Sequence, residues 1–181
     1  CIRDSSYRLG AELSAGWSPL SWLSVEGNAA LSRNRLHNFK ECVESWDGAA
    51  VWNTYKSSTI AFSPSAILNG FVDVHFAGFR ATWHTNFVSK QYLDNTESSD
   101  RSLPCYSQTN VNASYTFNFA KRMLGLKQIV LGADFNNIFN RHYAASGYVY
   151  YDWYNKGKRN STVAYIPMAG FNCMGTVTLK F

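Results

Sequence analysis

Between residues 148 and 154 the chain reads YVYYDWY, with Tyr148, Tyr150, Tyr151, Trp153 and Tyr154 crowded together. Aromatic rings in a polar connection can clamp a ligand, or they can pack their own segment on its neighbours; spacing does not choose between the two. A second set is ionisable: Glu12, Glu26, Asp73, Arg80, His84 and Asp134 all fall on the polar side of alternating segments. If that side is enclosed, these groups must meet one another or water. His37, His75, His84 and His142 raise haem or metal ligation, but one histidine in a connection does not make an axial site, so no cofactor or metal is expected. His142 and Asp152 share a connection, yet no base and nucleophile pair up, so no enzymatic activity is expected. The cysteines at 1, 42, 105 and 173 contain no CxxC pair, which argues against zinc.

The composition narrows the class. Of 181 residues, 46% are hydrophobic, 16% aromatic and 16% charged. The charged share is low against the roughly 25% of ordinary soluble domains. Mean hydropathy is nevertheless −0.25, and no run approaches the 18 apolar residues of a membrane helix. A net charge of +5 has no basic cluster beyond KGKR at 156–159, so no nucleic-acid partner is expected.

The elements that position these residues alternate with period 2, which is the mark of strands with two unlike faces. Seven segments show it, centred on Tyr7–Trp17, Leu23–Leu31, about Ile60–Phe76, Phe79–Phe87, Asn110–Phe119, Ile129–Asn136 and Phe171–Phe181. In the fifth, Val111, Ala113, Tyr115, Phe117 and Phe119 oppose Asn110, Asn112, Ser114, Thr116 and Asn118. No charged residue sits on any apolar face. Short links at 18–22, 77–78 and 120–128 alternate with long polar ones.

A soluble β-sandwich alternates too, but its outward faces are normally rich in Lys and Glu. Here the polar faces are mainly Asn, Ser, Thr and Gly. A transmembrane β-barrel predicts short periplasmic turns, long outer connections and aromatic girdles at both interfaces. Trp17, Trp22, Phe76, Phe79, Phe119 and Phe181 fall at the short-turn ends; Tyr7, Phe87, Tyr92, Phe139, Tyr143 and Phe171 mark the other. The expected fold is therefore an all-β, antiparallel transmembrane β-barrel segment. Single-chain bacterial barrels have an even strand count, so seven strands are read as the C-terminal part of a larger barrel. Cys42 and Cys105 then lie in or beside outer connections, where a bridge between them or to Cys1 is open. Cys173 faces lipid, and Cys1 reads as a lipid-bearing first residue or a fragment boundary.

DFNNIFNRHYAASGYVY (134–150) resembles the penultimate strand and connection of TonB-dependent outer-membrane receptors, through Asn136, Asn137, Ile138, Phe139, Asn140, Tyr143, Gly147 and Tyr148. YIPMAGFNCMGTVTLKF (165–181) is similar to that family's last strand, and VSKQYLDNTESSDRSL (88–103) resembles a stretch of its Bacteroidetes type. The resemblance implies a barrel of about 22 strands filled by a plug. It further implies energy from the TonB complex and residence in a Gram-negative outer membrane. Neither plug nor TonB box lies in these residues, so both are expected upstream. The ionisable set would meet the plug or pair within the wall, and Phe181 would be read by the outer-membrane assembly machinery. The implied function is import of a scarce nutrient such as a ferric siderophore, cobalamin, haem or a glycan. A passive porin-like channel and a soluble β-sandwich interaction module are the alternatives.

Overall fold

A computed structural model describes residues 5–123 and 125–181; at 120–123 and Tyr151 it describes the backbone. The expectation for Cys1 lies outside the described residues. The strands are β1 (Ser5–Leu20), β2 (Leu23–Ser45), β3 (Val51–Thr59), β4 (Ala66–Phe76), β5 (Phe79–Val88), β6 (Gln91–Tyr92), β7 (Ser102–Leu103), β8 (Tyr106–Met123), β9 (Leu126–Asn136), β10 (Ala144–Asn155), β11 (Lys158–Pro167) and β12 (Asn172–Lys180). Seven of them form an antiparallel wall in the order β1-β2-β4-β5-β8-β9-β12, each next to its sequence neighbour in the wall. The sheet curls into half of a barrel.

The register carries the alternation across the sheet. Leu13 lies opposite Ala29, Ala29 opposite Leu68, and Leu68 opposite Phe87. Further along, Trp83 opposes Val111, Val111 opposes Phe135, and Phe135 opposes Cys173. A slip of one residue would turn a whole apolar set to the other side, so this continuity fixes the pairing. The tight β4–β5 hairpin is set by Ala77 and Gly78, both at positive φ, as a type I′ turn requires. At Gly78 a Cβ would also stand 2.7 Å from the Thr116 carbonyl oxygen.

The apolar face is open. Leu9, Leu13, Trp17, Val25, Leu31, Leu68, Trp83, Phe117, Leu131, Val177 and Leu179 are all exposed. Among the described residues the buried apolar side chains are Val43, Val88, Leu93 and Leu103, none of them in the middle of the wall. A sandwich would cover such a face with a second sheet; the described residues supply none.

The long connections are built rather than irregular. A strand of about 9–11 residues crosses a bilayer, and β2 has 23. Its upper part, Arg35–Val43, pairs with β3 in place of β4, and only Arg35–His37 of it still pair with β1. The connection after β9 holds a second hairpin, β10–β11, so YVYYDWY lies on a strand and not in a loop. The third alternating segment starts at Ala66, not near Ile60: Phe62 takes φ 53° and Pro64 has no N–H to give to a ladder. The connection 89–105 folds as a small cap in which β6 pairs with β7, and Leu93, Leu103 and Arg101 are buried there. Tyr92 and Tyr143 belong to this upper packing rather than to a girdle. The Phe62 amide bonds the Tyr92 carbonyl, and Tyr143 stacks on Tyr106 with centroids 4.5 Å apart. Phe139 does lie against the apolar face, edge-on to Trp83 at 6.0 Å.

The NNIFN run proves to be a tie between β9 and β12. Buried Asn137, at φ 51°, donates to the carbonyls of Arg141 and Ala169 at 2.9 and 3.1 Å and accepts from the Arg141 amide at 2.9 Å. Asn140 accepts from the Phe171 amide at 2.9 Å. Asn137→Ala takes the partner from two carbonyls and an amide and places a Cβ residue without a polar arm at positive φ. It is expected to cost about 2–3 kcal/mol, measured as a lowered denaturation midpoint of the folded protein in detergent.

Candidate functional site

The polar face of the wall carries a ladder of amides. Asn69 donates to Asn28 and Asn86 donates to Asn69, both at 2.9 Å; these three sit opposite one another on β2, β4 and β5. His84 Nε2 lies 3.2 Å from the same Asn69 oxygen while its ring stacks flat on Phe71, with centroids 4.3 Å apart. Lower down, Asp73 accepts from Arg80 at 2.9 Å and Thr82 at 2.7 Å, with His75 at 3.6 Å. Asn112 donates to Asp134. The residues singled out from the sequence therefore share one face and pair within it: Asp73 with Arg80, and His84 and Asp134 with amides. Glu26 lines a shallow groove beside Phe71, Asp73 and Arg80. Of these charges, Asp73 and Arg80 neutralise each other, while Asp134 is held by an amide.

Above the wall, six ionisable groups form a clasp. Arg159 of β11 grips Glu41 of β2 through two nitrogens, at 2.7 and 2.8 Å, and Asp152 of β10 through Nε at 2.7 Å and a second contact. Tyr55 of β3 donates to Glu41 at 3.1 Å. Asp152 also receives Arg101 at 3.4 Å, and Arg101 donates to Thr96 at 2.7 Å. The Arg101 Nε sits 2.9 Å from Asp94, an ion pair whose N–H is turned too far aside to be a hydrogen bond. Arg35 and Glu97, 2.7 Å apart, add a second tie between β2 and the cap. Both outer hairpins and the cap are thereby fastened into one body.

Burial pushes the Glu41 carboxyl up, but the bonds and charge of Arg159, helped by Asn53 and Tyr55, outweigh it and hold the group below its ordinary 4.5. Asp152 first, then Glu41, raise the Arg159 guanidinium above its already high range against burial. A carboxylate depressed on folding stabilises above its unfolded pKa and ceases to as pH falls through its folded one. The clasp is thus expected to be intact at neutral pH and to loosen only as pH falls below the ordinary carboxylate value of 4.5, seen as faster proteolysis of the β10–β11 hairpin with the wall unchanged.

The aromatic run is divided between two environments. Tyr148 and Tyr150 stand out from β10, 54% and 38% exposed, with ring centroids 5.7 Å apart. Trp153 stacks on Trp46 at 5.7 Å, and the Tyr154 hydroxyl accepts from Asn53 at 3.4 Å. The side chain of Tyr151 lies outside the described residues. Strand alternation and a register shift between Tyr150 and Trp153 make this division among the four described rings. Cys42, Cys105 and Cys173 are free thiols, so Cys42 and Cys105 are not bridged to each other. Phe181 is exposed, and its carbonyl accepts from Lys127 at 2.6 Å. His142 lines a cavity of about 330 Å³ with Arg141, Tyr106 and Tyr143. The sequence reading missed Glu41, Tyr55, Arg101, Trp46 and Arg159. Of these only Glu41 lies on β2, where a weak alternation runs on past Leu31.

Fold and face together define a class: a segment of β-barrel wall with an open apolar outside, a cross-linked polar side and a structured outer layer. The chain superimposes on the crystal structure of the siderophore receptor PiuA from Acinetobacter baumannii with a TM-score of 0.67 at 16% identity, over 96% of this chain. It spans 22% of that receptor's length. At that identity the likeness is one of fold. No family model matches the chain, and no curated protein matches its sequence.

Proposed function

We propose that this chain is wall and outer face of a TonB-dependent receptor of the Bacteroidetes type, importing a scarce nutrient across a Gram-negative outer membrane. The observation that carries the reading is the barrel fold shared over nearly the whole chain with a siderophore receptor. The exposed apolar face supports it, because such a surface is stable in lipid and not in water. On this reading residues 1–181 are the C-terminal part of the barrel, and the wall lies in outer-membrane lipid. Asp73, Arg80, His84, Glu26 and Asp134 face the lumen and the plug; Tyr148, Tyr150, Tyr151, Trp153 and Tyr154 belong to the ligand-capturing side. TonB is engaged through the part of the protein outside these residues, and Phe181 serves the assembly machinery.

Ferric siderophore heads the candidate cargoes because the structural neighbour is a siderophore receptor. A strain lacking the gene, limited in turn for ferric siderophore, haem, cobalamin and glycan, is expected to lose uptake of one, and a proton uncoupler to abolish that uptake in the parent. Uptake that persists with the uncoupler would overturn the reading in favour of a passive channel. Unchanged uptake of all four would overturn the cargo assignment.

A further inference from the structure

At the joint of the two outer hairpins, β2 and β10 run parallel, with Trp153 opposite Glu44, and the Trp46 amide bonds the Tyr154 carbonyl at 3.0 Å. This joint holds the indoles of Trp46 and Trp153 stacked at 18° between planes, on an open cleft of about 580 Å³ whose other walls are Glu44 and Asp152. Trp46 is 74% exposed despite its stacking. The Asp152 carboxylate is taken by Arg159 and Arg101, whereas exposed Glu44 has no hydrogen bond or ion pair among the described residues.

The charge on these walls is one-sided. Carboxylate oxygens accept and do not donate, and indole faces carry the negative side of the ring quadrupole. The indole N–H groups offer a neutral sugar donors, but such a ligand leaves the Glu44 charge uncompensated, and an anion would be repelled. A cation with several N–H donors suits both surfaces, with its charge over the indole and its protons on Glu44. We propose that the Trp46–Trp153 cleft is a binding subsite for an organic cation bearing a guanidinium or ammonium group. The two hairpins fix it before any ligand arrives, so little ordering is lost on binding. The proposal rests on the reading of these hairpins as the ligand-facing side of a receptor. It names the class of group that this side takes.

The test uses the full-length protein in detergent, labelled with 5-fluorotryptophan and titrated with arginine amide, tetramethylammonium and methyl glucoside. Both cations are expected to shift the Trp46 and Trp153 fluorine resonances, assigned by single Trp→Phe changes, in a saturable way, and the glucoside is not. Glu44→Gln, which keeps size and shape, is expected to weaken arginine amide about tenfold, and Trp46→Leu at least fivefold. Unmoved remaining resonances verify that each variant is folded. No saturable shift, a shift with the glucoside alone, or unchanged affinity in Glu44→Gln would overturn the site. Cation binding in a protein whose loss leaves every nutrient uptake intact would overturn the receptor reading while leaving the site standing.

Discussion

Leu13→Arg is expected to destabilise the protein in lipid by about 2–4 kcal/mol, the cost of a basic side chain on the lipid face near the middle of a bilayer. Leu13 sits midway along β1, 70% exposed, opposite Ala29 in a row that continues through Leu68 to Phe87. Leu13 is open to its surroundings, so the substitution meets little packing constraint, and its effect reports mainly the medium. In water an exposed leucine exchanged for arginine would change stability by no more than about 0.5 kcal/mol. Ser14→Arg is the control. It is the next residue, it adds the same charge, and it lies on the polar face opposite Asn28. Its cost is expected to stay within about 1 kcal/mol. Reversible urea unfolding in phosphatidylcholine vesicles measures both. Equal costs would mean that the two faces see the same surroundings.

Arg159→Met keeps an unbranched apolar stem and removes the charged centre of the clasp. Glu41 and Asp152 then lose their shared cation, and Asp152 retains only the longer contact from Arg101. Removing one partner of a buried ion pair typically costs about 3–5 kcal/mol, because the remaining charge is left unpaired. Here the Arg159 and Glu41 side chains are 16% and 15% exposed, so water recovers part of that. About 2–3 kcal/mol of local stability is expected to be lost, a rise of roughly 30- to 150-fold in amide exchange across β10 and β11. The wall strands should exchange as before. Arg159→Lys keeps the charge without the planar fork and should fall between the two. Uniform acceleration through the wall would show that the outer layer is not a separate cooperative unit.

The wall was legible because its physics is local. Two unlike media impose period 2 on every strand between them, and Val111–Phe119 against Asn110–Asn118 reads plainly without any neighbour. Above the membrane both sides of a hairpin meet water, so that pressure relaxes. Arg35–Val43 and Val51–Thr59 alternate weakly, and in the sequence they stand out only as a long polar connection. The clasp had no signature, since Glu41 and Arg159 are 118 residues apart and meet only once two hairpins are docked. The aromatic run was visible as composition, but strand geometry dealt its rings to different surroundings. The NNIFN run was visible as a word; that Asn137 and Asn140 tie β9 to β12 required the positive φ and the carbonyls that they reach.

The central claim is that one face of this sheet lies in hydrocarbon and the other does not. Spin labels placed singly at residues 11 to 16 of β1, in the full-length protein reconstituted in bilayers, test it most directly. Collision rates with oxygen, which concentrates in lipid, are compared with those of a nickel chelate, which stays in water. Labels at 11, 13 and 15 are predicted to favour oxygen, and labels at 12, 14 and 16 to favour the chelate or to meet neither. High chelate accessibility at all six positions would contradict the account.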